Sequence, residues 1–550
     1  MQTEYMPMRT SVTKSDLSTS SGPLRASRQT APDAGGAAQP DVDCAGAIDN
    51  PYFLVRKRGE RIETRGRSTA EFGHQIPSTT HHVADGIFAH WHWDGTRLAV
   101  KNDRYGFYPL FWFSPPGGGV CISSSLVSLL EQGAPTELDI EALSVFFRLG
   151  FYVGDDTPFS GIKTVPPNAV FEWENGKLEC HGRYPQTLNA TALSRDEAID
   201  RYIDLFAKAM AKRAPDSDAF AVPISGGRDS RHILLELHRT GFEPGACVSA
   251  LDNPPDPNED ARVAAALCQK LRLDLVIVNQ QLSAFSAEVR KNPKTHFCTL
   301  AHGWYLALAD SLNGRFGCVY DGIAGDVLTQ SKFLNPQLDT AFRTRDVNAI
   351  CDALLSRQTA GYSGIRGLLK GDLKAAMEPG VATKRLAMEV EKHLDGPNPV
   401  ASFILWNRTR RAIALAPYSL LADIPRVYAP FLDHDLFDFL TTLPSSMLLD
   451  HSFHDDTIAR AYPNFANFPY VDKAAPPADD TKVRARFLAD AARMFLLKRP
   501  SGLMKNLLPR AKMLTSVLSL GHINPWVSPF ILYLDQIETL MEKKRRVPSD

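Results

Sequence analysis

The sequence predicts an α+β N-terminal β-sandwich domain, followed by an α/β domain built on a parallel sheet, with a helical C-terminal part. Two observations support this fold class. Residues 51–184 alternate short apolar runs with turns such as Asp94-Gly95, a pattern typical of antiparallel strands. From Ser194 onward, amphipathic helical segments alternate with short apolar runs, as in parallel strands joined by helical crossovers.

The length and charge of the chain restrict its class. It has 550 residues, 44% of them hydrophobic, and a formal net charge of −1. This length exceeds that of one ordinary domain. A charge so close to zero gives no electrostatic reason to expect nucleic acid as a partner.

The cysteines and the apolar segments indicate the cellular location of the protein. The eight cysteines are scattered without a Cys-x-x-Cys pair, which predicts reduced thiols, a cytoplasmic location and no zinc site. The apolar stretch 517–534 is interrupted by His522, Asn524 and two prolines, so we expect no membrane span.

The composition divides the chain into four parts. Residues 1–46 are rich in Ser, Thr, Pro, Ala and Gly and are predicted to be a disordered leader. Residues 47–190 are predicted to form the β-rich domain, 191–480 the α/β domain, and 481–550 a helical extension.

Local patterns place the elements of the N-terminal half. A helix is expected from Asp139, as N-cap, to Phe147. The candidate strands are 52–55, 86–93, 98–100, 108–113 and 120–123.

In the C-terminal half, an amphipathic helix at 196–212 leads into a buried strand at 219–224, and further strands are expected at 246–250 and 273–278. Ligands of parallel sheets bind at the carboxyl ends of the strands. The segment that directly follows the 219–224 strand is therefore a candidate site.

That segment is Ser225-Gly226-Gly227-Arg228-Asp229-Ser230. Glycines between a strand and a helix let an anion approach the backbone, and the unpaired N–H groups of the helix N-terminus attract it. We predict that Ser225, Gly226, Gly227 and Ser230 bind phosphate and that Asp229 binds Mg²⁺. The Gly-Lys-Ser/Thr of a Walker loop is absent from this segment.

The segment resembles the pyrophosphate loop of the ATP pyrophosphatase (PP-loop) superfamily, whose enzymes cleave ATP between the α and β phosphates. Three upstream segments resemble, in the same order, the N-terminal glutaminase domain of the asparagine synthetase family: 102–111, 122–130 and 157–168. The resemblance implies an Ntn-hydrolase-like domain followed by a PP-loop domain that binds ATP and Mg²⁺.

A second acidic loop, 318–328, is similar to the family's Ser-Gly-Glu-Gly-x-Asp-Glu. The match implies that Asp326 binds the metal together with Asp229, while Ile323 replaces the first Glu and Val327 the last. Asp321 is a candidate to take over the catalytic role of the missing Glu. The alternative is that Asp321 and Asp326 merely cap turns. The segment 295–312 resembles the family's substrate-pocket helix.

Further along, 426–436 and 461–473 resemble family segments that end at a catalytic lysine. The resemblance implies that Lys473 stabilises negative charge near the α-phosphate; the alternative is an exposed lysine. Arg228 and Arg231 could contact an acidic substrate or phosphate.

The glutaminase signature is incomplete. The family uses an N-terminal cysteine, whereas this chain begins Met1-Gln2, and cleavage before Cys44 would expose a cysteine that lacks the family's following glycine. Between residues 47 and 100 the Arg-Gly-Pro-Asp, Asn-Gly-Glu and Gly-Ser-Asp motifs are absent. We therefore expect a degenerate glutaminase-like domain.

Together, these features predict an ATP-dependent, AMP-forming ligase of the asparagine synthetase type that activates a small-molecule or peptide carboxylate as an acyl-adenylate and joins it to an amine or ammonia. One alternative is an intramolecular amide synthetase resembling β-lactam synthetase or a lasso-peptide cyclase. A second is a strict glutamine-hydrolysing asparagine synthase. A third, suggested by Ile323, is a non-catalytic nucleotide-binding relative.

Overall fold

The computed structural model describes residues 50–546, with gaps at 78–83, 185–188, 218, 252–258, 280–283, 357–365, 367–368, 370, 472–488 and 490–526. The described chain belongs to one unit, Asn50–Asp550. The predicted leader, Lys473 and most of the predicted C-terminal extension lie outside the described residues. The predicted domain boundaries stay predictions.

Ten antiparallel strands form two five-stranded sheets in the N-terminal part, as the alternating pattern predicts. In order they are β1 to β10: Tyr52–Arg58, Arg61–Gly66, Thr69–Gly73, Phe88–Trp93, Arg97–Asn102, Phe111–Phe113, Val120–Ser123, Lys163–Thr164, Val170–Glu174 and Lys177–His181. The strand orders are β2-β1-β7-β6-β8 and β10-β9-β5-β4-β3. Alternate apolar side chains from both sheets, among them Phe53, Trp91 and Trp173, share one buried cluster.

Two short helices lie between β7 and β8 in the chain. Helix α1 spans Leu126–Glu131 and α2 spans Ile140–Leu149. The expected cap of α2 is confirmed, because the Asp139 carboxylate accepts the Ala142 N–H at 3.0 Å. Gly150 ends the helix with a φ of 78°, a conformation that favours glycine.

The second half contains a five-stranded parallel sheet, as expected. Its strands β11 to β15 are Phe220–Pro223, Ala246–Leu251, Leu275–Asn279, Cys318–Tyr320 and Arg426–Tyr428. The order is β13-β12-β11-β14-β15, and every pairing is parallel. Strand β11 is therefore central, and the carboxyl ends of β11 and β14 are neighbours at one edge.

Helices connect these strands: α3 to α10 span Arg195–Ala211, Asp229–Arg239, Glu259–Leu271, Ala284–Lys294, Tyr305–Leu312, Gly325–Gln330, Pro336–Arg343 and Val347–Leu355. The resemblance to a helix over residues 295–312 is correct only for its second half. Residues His296, Phe297 and His302 have positive φ values of 55°, 58° and 75°, which a right-handed helix excludes.

Mostly helical segments complete the described chain. The α-helices are Gly371–Ala376, Pro379–Val390, Pro399–Ile404, His434–Thr441, Ser445–Leu448, Phe453–Ala461 and Val527–Arg546; π-helical turns form Leu405–Ile413 and Ala416–Leu420; 3₁₀ turns form Glu391–His393, Pro430–Leu432 and Pro463–Phe465. Of the helices described, none is both long and apolar enough to cross a membrane.

The last helix packs on the N-terminal part of the molecule. The Tyr533 hydroxyl lies 2.6 Å from the Tyr152 hydroxyl and donates to the Phe297 carbonyl at 2.9 Å. Phe530 meets the ring of Phe147 with centroids 3.9 Å apart. This helix therefore contributes to a core that also contains residues of β1 and β6.

A buried arginine connects the segment between β3 and β4, in the second antiparallel sheet, to the segment that follows the parallel strand β15. Arg213, 2% exposed, lies 2.7 Å from Asp85 Oδ1 and 2.9 Å from Asp433 Oδ2, and Lys212 lies 3.0 Å from Asp433. Burial works to raise the pKa of Asp433, but Arg213 and Lys212 outweigh it and hold that pKa below its usual range. The negative charges of Asp85 and Asp433 are therefore neutralised only while Arg213 is present.

Candidate functional site

The predicted phosphate loop lies at the carboxyl end of β11, in the middle of the parallel sheet. Gly226 is enclosed: a Cβ there would clash with Val471 and would lie 3.0 Å from Val263 Cβ. A side chain at this position would push the loop away from its neighbours, so the structure requires glycine here.

Helix α4 begins directly after the loop, with Arg228 as its N-cap residue and Asp229 in its first turn. The Arg228 side chain makes no capping hydrogen bond to this helix. The first N–H groups of a helix carry partial positive charge and need acceptors. This end of α4 is therefore suited to an anion.

Some of the predicted phosphate-binding N–H groups are engaged within the protein. The Gly226 N–H donates to Asp260 Oδ1 at 3.0 Å, and the Gly227 N–H donates to Ser225 Oγ at 3.2 Å. The Ser225 N–H donates to Ser230 Oγ at 3.2 Å. An anion in this loop would therefore exchange places with the Asp260 carboxylate and the serine hydroxyls.

The two acidic loops meet. The Asp326 N–H donates to Asp229 Oδ2 at 3.1 Å. Gly322 and Gly325 pack on the same side chain, since their Cβ atoms would lie 2.7 Å from Asp229 Cβ and 2.5 Å from Asp229 Oδ1. The adjacency of β11 and β14 explains this contact between positions 97 residues apart.

The electrostatics of the pair suit a divalent cation. Burial, and then repulsion from the Asp326 carboxylate, raises the pKa of Asp229 well above its usual value. Asp229 Oδ1 is buried and has no hydrogen-bond partner in the described chain. A dication between two carboxylates relieves such repulsion, so the residues present fit Mg²⁺.

The protein offers such a cation few side-chain ligands besides Asp229 and Asp326. No cluster of three or more His, Cys, Asp or Glu side chains that could hold a metal occurs in the part of the chain that the structure describes. Lys332 Nζ lies 3.0 Å from Asp326 Oδ2 and supplies a positive charge at this point. A bound Mg²⁺ would take its remaining oxygens from phosphate and water.

Asp321 directly precedes Gly322, which packs on Asp229, and its own contacts are partly structural. Its Oδ1 accepts the Ile323 N–H at 2.8 Å, which is a turn cap, and its Oδ2 accepts the Tyr305 hydroxyl at 3.2 Å. Burial raises the pKa of Asp321. Ile323 is 5% exposed. Sequence reasoning missed Tyr305, although its segment was singled out by resemblance.

The arginines that follow the loop glycines face the protein. Arg228 Nη2 lies 2.7 Å from Asp455 Oδ2, and Arg231 donates to the carbonyls of Phe468 and Pro469 at 3.0 and 2.6 Å. Both guanidinium groups also contact the ring of Tyr470. These contacts hold residues 468–470 against α4, and the contact of either arginine with substrate or phosphate stays a prediction.

That segment continues over the loop as far as Val471. The Val471 N–H donates to the Gly226 carbonyl at 3.4 Å. Lys473 itself lies outside the described residues, so its role stays a prediction.

A buried polar network lies behind Asp229. His454 Nδ1 is 2.9 Å from Thr329 Oγ1 and 3.4 Å from Asp229 Oδ1, while its Nε2 is 3.0 Å from His232 Nδ1 and 3.3 Å from the Tyr202 hydroxyl. Burial, followed by the charge of Arg228, lowers the pKa of His454 to about 3. No sequence signal indicated His454, since it follows Asp229 by more than two hundred residues.

Comparison with known proteins identifies one region. A family model described as a glutamine amidotransferase domain matches residues 67–184. No curated protein matches the chain. The matched range covers β3 to β10 and contains all three of the segments 102–111, 122–130 and 157–168. A glutamine amidotransferase domain is therefore present in the antiparallel part of the molecule.

Proposed function

We propose that this protein is an ATP-dependent, AMP-forming ligase of the asparagine synthetase type. The observation that carries the proposal is the contact between Asp229 and Asp326 beside the N-terminus of α4, at the carboxyl end of the central parallel strand. The amidotransferase domain at residues 67–184 supports the same family of chemistry.

In this proposal, the pyrophosphate part of ATP binds at the loop. Ser225, Gly227 and Ser230 face it together with the first N–H groups of α4, and the Gly226 N–H turns from Asp260 to the phosphate. Asp229 and Asp326 would hold Mg²⁺, which supplies neutralisation of the phosphate charge. The glycines at 322 and 325 let the second acidic loop pack directly against the Asp229 side chain, which would position the two aspartates in advance of substrate binding.

The chemistry proposed for the site has two steps. A substrate carboxylate oxygen attacks the α-phosphorus, the bond to the bridging oxygen breaks with its electron pair leaving on pyrophosphate, and an acyl-adenylate forms. An amine then attacks the acyl carbon, and AMP leaves. We assign the acceptance of the amine proton to Asp321, whose carboxylate contacts the Tyr305 hydroxyl. Lys473 would stabilise charge at the α-phosphate.

The substrate is proposed to be a small-molecule or peptide carboxylate. The absence of the glutamine-pocket motifs between residues 47 and 100 favours an amine within the substrate over ammonia released from glutamine. This is the logic of β-lactam synthetase or a lasso-peptide cyclase. A cytoplasmic setting is proposed as well, and the seven cysteines that the structure describes form no disulfide.

A second candidate function is a strict glutamine-hydrolysing asparagine synthase. The observation that favours it is the match to a glutamine amidotransferase domain. Release of glutamate from glutamine, dependent on ATP and aspartate, would support it. ATP-dependent turnover of a carboxylate without glutamine hydrolysis would support the intramolecular reaction.

The deciding experiment is ATP–pyrophosphate exchange with a panel of carboxylic acids. We expect exchange with at least one acid, and its loss in Asp229→Ala and Asp326→Ala. Asp310→Ala is the matched control, because Asp310 forms an exposed pair with Arg290. ATP binding without exchange for any acid would favour a non-catalytic nucleotide-binding relative, and absence of ATP binding would contradict the proposal.

A further inference from the structure

The interior side of Asp229 is lined by hydrogen-bonding groups that the proposed reaction does not use. Thr329 on α8, His454 on the Phe453–Ala461 helix and His232 on α4 form a continuous chain behind the carboxylate. All three side chains are buried. Burying three adjacent polar side chains costs free energy unless their hydrogen bonds are satisfied in one specific arrangement.

The contacts of Thr329 determine which ring nitrogen of His454 carries a proton. The Thr329 hydroxyl donates its single proton to the Gly325 carbonyl at 2.7 Å. Toward His454 Nδ1, 2.9 Å away, the same oxygen is therefore an acceptor, and Nδ1 must bear hydrogen. A neutral imidazole has one N–H, so Nε2 accepts from His232 or Tyr202.

The Nδ1–H group of His454 also faces Asp229. It lies 3.4 Å from Oδ1, the oxygen that has no hydrogen bond in the described chain, while the Asp326 N–H holds Oδ2 from the other side. A neutral N–H can orient a carboxylate without adding a positive charge that would compete with a cation. Lys332, 3.0 Å from Asp326, does add such a charge.

We propose that His454 is a positioning residue, fixed by Thr329 as the neutral Nδ1–H tautomer, that orients the Asp229 carboxylate for a divalent cation. The inference rests on the proposed function, because Asp229 is a metal ligand only there. Loss of a residue that hydrogen-bonds to a metal ligand typically lowers metal affinity by about tenfold or more.

Two substitutions of His454 distinguish the roles of its two ring nitrogens. The amide nitrogen of Asn falls near the position of Nδ1, and that of Gln near Nε2. His454→Asn should therefore bind Mn²⁺ nearly as wild type does, in the presence of α,β-methylene-ATP. His454→Gln should weaken Mn²⁺ binding by about tenfold. Electron paramagnetic resonance of free Mn²⁺ measures both affinities.

Thr329→Val tests the tautomer without altering the ring. It removes the acceptor while keeping the side-chain shape, so we expect weaker Mn²⁺ binding, with no further loss when it is combined with His454→Gln. Thr340→Val is the matched control, because Thr340 also donates to the carbonyl four residues earlier, Pro336, but at an exposed position. It should bind Mn²⁺ as wild type does.

The outcomes separate this inference from the proposed function. If wild type binds no Mn²⁺ with the nucleotide, or Asp229→Ala binds it equally well, the proposed function fails and this inference with it. If wild type binds but His454→Gln and Thr329→Val match it, only the positioning role is overturned.

A measurement on the wild-type protein decides the case if a variant fails to fold. Nitrogen-15 spectra of histidine-labelled protein should show a neutral Nδ1–H ring among its 15 histidines. The absence of any such ring would overturn the proposal.

Discussion

Gly325 lies so close to Asp229 that a Cβ on the glycine would be 2.5 Å from the aspartate Oδ1 atom. The two residues follow neighbouring strands, β14 and β11. Their contact fixes the separation of the two acidic loops, and it leaves no room for a methyl group.

The first prediction concerns this contact. Gly325→Ala should displace Asp229 and reduce ATP–pyrophosphate exchange by about 100-fold, the scale expected for a displacement near 1 Å. Gly380→Ala is the control, because a Cβ on Gly380 meets no atom within 4 Å. Unchanged exchange in Gly325→Ala would show that the contact does not position the site.

The second prediction concerns Lys332. Its ammonium group lies 3.0 Å from Asp326 Oδ2, where it competes with any bound cation. Lys332→Ala should therefore bind Mn²⁺ more tightly than wild type in the absence of nucleotide. Lys208→Ala removes the same charge at an exposed helical pair with Asp204 and should leave Mn²⁺ affinity unchanged. Equal or weaker binding in Lys332→Ala would refute the competition.

The third prediction concerns the buried arginine. Arg213→Met leaves Asp85 and Asp433 without their shared partner, so we expect a loss of about 3–5 kcal/mol in the free energy of unfolding. Arg426→Met removes an arginine that pairs with exposed Asp216 and should cost about 1 kcal/mol or less. Urea denaturation measures both values, and similar losses would argue against a special role for the buried cluster.

The fourth prediction concerns acid stability. Burial, assisted by Lys291 and Arg408, lowers the pKa of His302 to about 3, and burial with Arg411 lowers that of His296 to about 3. The unfolded state then binds more protons than the folded state at pH values between about 3 and 6.5. Stability should therefore fall as pH falls through this window, by about 1.4 kcal/mol per pH unit for each fully shifted histidine.

Whether His302 causes this pH dependence of the free energy of unfolding can be checked directly. Urea midpoints measured from pH 7 to pH 5 should decline less steeply in His302→Gln than in wild type. His181→Gln, at an exposed position on β10, should retain the wild-type slope. An identical slope in all three proteins would assign the decline to other groups.

The fifth prediction concerns the last helix. Tyr533→Phe removes the hydroxyl that contacts Tyr152 and the Phe297 carbonyl, leaving buried partners unsatisfied. We expect a loss of about 1–3 kcal/mol in the free energy of unfolding. Tyr184→Phe, at an exposed tyrosine, should change stability little. Comparable stability of the two variants would show that the helix is held by apolar contacts alone.

Local sequence pattern was sufficient to predict much of the fold. The change from strand to helical periodicity across Ser225–Gly227 located β11 and α4, and Asp139 identified the start of α2. The convergence of the two acidic loops followed from the parallel arrangement of their strands, since carboxyl ends of adjacent parallel strands meet at one edge.

Contacts between distant segments could not be read from local pattern. Nothing near His454 in the sequence distinguishes it from an ordinary helical histidine, and the engagement of the Gly226 N–H by Asp260 depends on how α5 packs against the loop. The late start of α7 has a similar cause. The expectation of a helix from residue 295 came from a resemblance, whereas the backbone there turns through positive φ against the N-terminal part, where Thr299 pairs with Phe151.

The position of the Val527–Arg546 helix has a consequence for synthesis of the chain. Phe530 and Tyr533 complete a core that also contains Leu54 and Phe111, from the opposite end of the described sequence. During translation, the aromatic face of α2 that Phe530 and Tyr533 cover therefore stays exposed until the Val527–Arg546 helix has left the ribosome. Until then the nascent protein carries an exposed apolar surface, which makes its early folding dependent on protection from aggregation.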